Sequence, residues 1–101
     1  MTSQGSPYAR FRRALLSKNP GLILPAAAEL EHVSLEDALR ILVVLAEKRH
    51  PRFEKAAARF AARVVIELRL DPWEAHRIFA LAQALPEAPD PLGSYLQRYC
   101  G

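Results

Sequence analysis

Apolar residues recur along the chain at steps of three and four, with polar residues between them, and no segment alternates with period two. The most strongly patterned stretch is Ser34 to Arg49, SLEDALRILVVLAEKR. Leu35, Ala38, Leu39, Leu42, Leu45 and Ala46 fall on one helical face, while Ile41, Val43 and Val44 widen the apolar surface well beyond a single stripe. Ser34 is a favourable N-cap, Asp37 stands three residues on to support the first turn, and Glu36 adds negative charge at the positive end of the dipole. A helix that is apolar nearly all round is one that other elements cover. Its apolar part is too short to cross a membrane, and Glu36, Asp37 and Arg40 interrupt it.

The same reading organises the rest of the chain. Residues 1–5 are small and polar, so a disordered N-terminus of residues 1–6 is expected ahead of a single helical domain over 7–101. Ser6 and Pro7 read as N-cap and N1 of a helix to about Lys18, with Tyr8, Phe11, Ala14, Leu15 and Leu16 apolar and Arg10, Arg12 and Arg13 outside. Asn19, Pro20 and Gly21 break it and cap a second helix to about Glu31. Pro25 is tolerated there only if the helix starts near Leu22 or Leu24. Past the central helix, His50 and Pro51 predict a turn with Pro51 at N1 of a fourth helix to about Arg69. That helix carries a clean stripe of Phe53, Ala56, Ala57, Phe60, Ala61, Val64 and Leu68.

Asp71, Pro72 and Glu74 mark a capping box, Leu70 is placed to staple against Ala75, and the fifth helix buries Ala75, Ile78, Phe79 and Ala82 on its way to about Leu85. After the Pro-rich PEAPDP loop, Asp90 and Pro91 open a last helix presenting Leu92, Tyr95, Leu96 and Tyr99. The halves after Ser34 resemble each other. A shift of 37 aligns Asp37, Ala38, Arg40 and Ile41 with Glu74, Ala75, Arg77 and Ile78. The predicted fold is all-α, with five or six helices in antiparallel hairpins, as a compact bundle or a short α-solenoid-like stack.

Composition strengthens this picture. The 101 residues include 17 Ala and 15 Leu against few β-branched residues, which favours helix throughout. Half are hydrophobic and a quarter charged, the balance of an ordinary globular domain large enough to fold without metals or disulfides. The start, MTSQGSP, has no apolar run behind a basic one, so no signal peptide is expected, and Cys100 is the only cysteine. The expected location is the cytoplasm. The short arginine-bearing first helix, S-L-E-D-A-L leading into an aliphatic helix, and R-F ahead of an Ala- and Arg-rich helix together resemble a group of small helical proteins common in actinobacterial genomes, over roughly residues 11–85. The resemblance implies an all-helical fold and an intracellular location, and it carries over no catalytic residues.

The chemistry-bearing residues do not assemble into a known site pattern. His32, His50 and His76 stand alone, without ligand spacing, and no metal or cofactor is expected. Acidic pairs such as Glu36 with Asp37 and Asp71 with Glu74 are sufficiently explained as caps. Cys100 reads as an exposed thiol rather than a nucleophile, and there is no Gly-rich phosphate loop. The expectation is a non-enzymatic helical binding or interaction module.

Charge supplies its candidate surface. Between Lys48 and Arg63 lie six basic residues against one acid, Glu54. Of these, Arg52, Lys55, Arg59 and Arg63 step by three, four and four along one side of the fourth helix, with Arg10, Arg12 and Arg13 able to extend the ridge if the first helix packs alongside. A protein partner is the first expectation and nucleic acid the alternative, although no aromatic residues interleave the ridge for base stacking and the turn does not fit a helix-turn-helix. Ile66 and Trp73 lie off the predicted core faces and form a second candidate contact, including for a homo-oligomer.

Overall fold

Ser34 starts the third helix by accepting a hydrogen bond from the Asp37 amide at 3.1 Å, and the same device starts two others. Ser6 accepts from the Ala9 amide at 3.3 Å, and Asp71 from the Glu74 amide at 2.8 Å, with Pro7 and Pro72 in the first turns. A computed structural model describes residues 6–100, leaving out the side chains of Tyr99 and Cys100, and expectations on residues 1–5 and on that thiol lie outside the described residues. Within these bounds the chain forms six helices and no strand: α1 (Pro7–Ser17), α2 (Pro20–Ala28), α3 (Leu35–Glu47), α4 (Phe53–Leu68), α5 (Pro72–Gln83) and α6 (Asp90–Cys100). They stack into an array of 47 × 26 × 20 Å.

Two apolar clusters hold the array together, and α3 takes part in both. The larger joins Leu42, Leu45 and Ala46 of α3 to Phe53, Ala57, Phe60, Ala61 and Val64 of α4, Ile78 and Ala82 of α5, and Leu92, Tyr95 and Leu96 of α6, with Leu85 from the preceding loop. The smaller joins Phe11 and Ala14 of α1 and Ile23 of α2 to Val44 of α3. The wide apolar surface of α3 has this explanation. Ala57, Ala61 and Ala82 have no exposed surface, and their small side chains let α4 and α5 approach closely in the most extensive helix pairing.

Several local expectations are corrected. Pro51 is not at N1 of α4: α3 closes with Arg49 in the left-handed region (φ 48°), and the His50 amide bonds back to the Leu45 carbonyl at 2.9 Å. His50 then accepts the Arg52 amide on its Nδ1 at 3.1 Å, so Pro51 and Arg52 are turn residues and the helix begins at Phe53. Helix α2 starts at Pro20, capped by the Asn19 side chain on the Gly21 amide at 2.9 Å, and this early start leaves Pro25 inside the helix. The helix lasts nine residues and stops at Ala28 rather than Glu31. Phe79 is 37% exposed, because it lies about 100° around α5 from Ile78, the residue that points into the core.

Asp37 departs furthest from its expected role as a simple first-turn carboxylate. It is buried to 4% exposure, and its Oδ1 accepts from Arg12 Nη1 at 3.2 Å and Arg40 Nη1 at 2.7 Å. Its Oδ2 accepts from the Tyr8 hydroxyl at 3.0 Å. Three donors, two of them from α1, compensate a carboxylate that would be costly to bury alone. The aligned residue Glu74 also accepts a tyrosine hydroxyl, from Tyr95 at 3.0 Å, so the sequence correspondence has a local structural parallel.

Two substitutions separate the contributions of core and clamp. Leu42→Ala removes a side chain that is 2% exposed, and urea unfolding is expected to show a loss of roughly 2–5 kcal/mol. Asp37→Asn keeps the volume but discards the charge facing two arginines, and should cost about 1.5–3 kcal/mol. A loss below about 0.5 kcal/mol would show that the charge of Asp37 does not hold α1 in place.

Candidate functional site: a groove with a basic wall

The turn after Arg49 aims α4 back along α3, and the α2–α3 connection leaves Leu24 and Val33 standing over the other side of α3. Between them runs a groove of about 680 Å³. Ala38, Ile41, Leu42 and Leu45 of α3 and Ala56 and Phe60 of α4 supply its apolar lining. Its polar lining comes from Arg52, Lys55, Arg59 and Arg63, the four residues of the basic ridge. The ridge is therefore one wall of a concave apolar site. Over its length α4 advances roughly 16 Å, about three helical turns.

The four cations differ in how they are held. Arg52, Lys55 and Arg59 are exposed, and none forms an ion pair among the described residues. Arg63 is more enclosed, with its side chain 28% exposed and its Nε donating to Glu67 one turn on. Its Nη2 is buried and has no hydrogen-bond partner among the described residues. A buried donor left without an acceptor costs about 1–3 kcal/mol.

The remaining basic residues near the ridge do not enlarge the groove. Lys48 and His50 border a separate depression with residues 17–21, and Arg49 reaches Glu87 at 3.5 Å between two well-exposed side chains. The expected extension from α1 is corrected for two of its three arginines, since Arg10 pairs with Glu29 at 2.7 Å and Arg12 with Asp37. Neither lines the groove, because α1 packs on α2 and on the Val44 side of α3.

Ile66 and Trp73 are 74% and 82% exposed, so α6 does not cover them. They flank the α4–α5 turn. Trp73 lines a shallow depression with Asp71, Glu74, His76 and Arg77, and Ile66 is not part of it. Leu16, expected on the apolar face of the first helix, is instead 84% exposed and borders a second, smaller groove with Leu39 and Val43. The sequence reading missed the wall opposite the ridge, Leu24 and Val33, for which the only signal was an α3 more apolar than one stripe requires.

Among the described residues no three His, Cys, Asp or Glu side chains gather as metal ligands, and no helix is long and apolar enough to cross a membrane. Comparison of the chain with protein-family models, curated proteins and solved structures gives no match.

If Arg63 serves a ligand rather than the fold, Arg63→Gln should lower stability by no more than about 0.5 kcal/mol, since its one ion pair is of the i,i+4 kind and its buried Nη2 has no partner to lose. Urea unfolding measures this directly. A loss above about 1 kcal/mol would make Arg63 a structural residue.

Proposed function

We propose that this chain is a non-enzymatic helical binding module that engages a protein partner through the α2–α3–α4 groove, working in the cytoplasm. The observation that carries the reading is the combination of an apolar lining with four cations on one wall. A solvated helix face needs no concavity beside it. An apolar depression flanked by charges that lack internal partners is what interaction surfaces bring together, with desolvation at the centre and charge steering at the edge. The size of the groove falls within the range of sites that take a ligand or a few anchoring side chains.

Nucleic acid is the second reading, favoured by the regular spacing of the cations along α4. Salt separates the two. Four phosphate contacts give a log–log slope of about −3.6, or roughly a hundredfold loss of affinity between about 50 and 200 mM salt. A complex anchored on the apolar lining loses far less. A homo-oligomer through Ile66 and Trp73 is read out by sedimentation, in which Trp73→Ala should leave a monomer unchanged.

The reading is tested by affinity capture from a host extract treated with nuclease, using the wild-type chain and an Ala56→Trp variant that fills the groove. A protein retained by the first and lost from the second is the expected result. Recovery that is equal with both, or that disappears after nuclease, overturns it.

A further inference from the structure

We infer that the groove receives an amphipathic helix of a partner protein that carries a row of carboxylates along one flank of its apolar face. This rests on the binding reading above and specifies the partner's chemistry. Lys55, Arg59 and Arg63 follow one another along α4 at axial steps of roughly 6 Å, the rise of four helical residues, and Arg52 lines the same wall from the turn just ahead of the helix. A second helix lying along α4 repeats its own side chains at those same intervals. Glu or Asp residues three and four apart on its flank therefore meet the cations in turn, while apolar residues of the same periodicity descend onto the lining. This is the arrangement by which flanking charges set partner choice beside an apolar seam.

The wall across from α4 adds an asymmetry. Leu24 and Val33 offer no charge there, so the partner's second flank needs no acids. At the far end of the ridge, Arg63 is already paired in part with Glu67, so the three exposed cations before it carry most of the charge matching. Other occupants use less of the site. A long-chain carboxylate has one charged end and would leave most of the cations unmatched. A nucleic acid backbone matches the cation spacing but leaves the apolar wall uncovered, and Phe60, 5% exposed, gives no face on which a base could stack.

The test uses a fluorescein-labelled synthetic peptide of about four turns, with Leu at helical spacing and Glu along one flank, beside a second peptide with Lys in place of every Glu. Anisotropy is measured against the wild-type chain, the double variant Arg59→Gln/Arg63→Gln and the groove-filling Ala56→Trp. The Glu peptide should bind and gain helicity on binding, seen by circular dichroism, and the Lys peptide should bind at least about tenfold more weakly. The double Gln variant should lose about tenfold for the Glu peptide and become less sensitive to salt, with its own helicity unchanged.

Equal binding of the two peptides overturns the inference, as does failure of the Glu peptide to bind at about 100 μM protein and about 50 mM salt. Dodecanoate and a random DNA duplex are measured in parallel. If either binds where the Glu peptide does not, and Ala56→Trp abolishes it, the acidic-helix inference fails while the groove stands as a binding site. If none of the three binds and extract capture is insensitive to Ala56→Trp, both readings fall.

Discussion

The Asp37 carboxylate is the contact on which the position of the N-terminal hairpin depends. Helices α1 and α2 bury few large side chains against the rest of the molecule: Phe11 and Ile23 meet Val44, and Leu30 and Ile41 pack at the margin. So small a cluster fixes proximity more firmly than orientation, because apolar contact has no direction. Asp37 supplies direction, since its two oxygens accept from Tyr8 and Arg12 of α1 as well as from Arg40 of its own helix. It sits in the first turn of α3, where the helix dipole also favours a negative charge.

The groove follows from that placement. One of its walls is α4, held to α3 by the large core, and the other is carried by α2 and the segment leading into α3. The clamp holds α1, and α2 packed on α1 lies over one side of α3, with Ile41 and Ala38 half-buried at the bottom of the groove. Closer packing would be expected of a chain selected for stability alone, and stability is routinely given up where a surface must remain open to a ligand.

Rigidity elsewhere supports the open site. Helices α4 and α5 meet through fully buried alanines, and α6 seals their far side with Leu92, Tyr95 and Leu96. Three of the groove's four cations, Lys55, Arg59 and Arg63, project from the helix with the most extensive packing in the molecule, which suits residues that must be held at a fixed pitch.

Much of this was determined by the sequence alone, and the reason is locality. Ser6, Ser34 and Asp71 start their helices through hydrogen bonds spanning three residues, and the period of apolar positions named Phe53, Ala57, Phe60, Ala61 and Val64 as a buried stripe without reference to any partner. The same periodicity put Arg52, Lys55, Arg59 and Arg63 on one side of α4. Other features were decided between helices. Asp37 looked like a cap because nothing local distinguishes a first-turn carboxylate facing water from one that α1 covers with Tyr8 and Arg12. Phe79 fell outside the core because Ile78, about 100° away around α5, is the residue that tertiary packing turned inward, and the start of α4 moved past Pro51 because the His50 side chain satisfied the turn first. Above all, periodicity could align four cations but could not say what faced them. That required the path of α2, which packs on α1, and α1 is held at Asp37 by contacts made 25 and 29 residues apart in the chain.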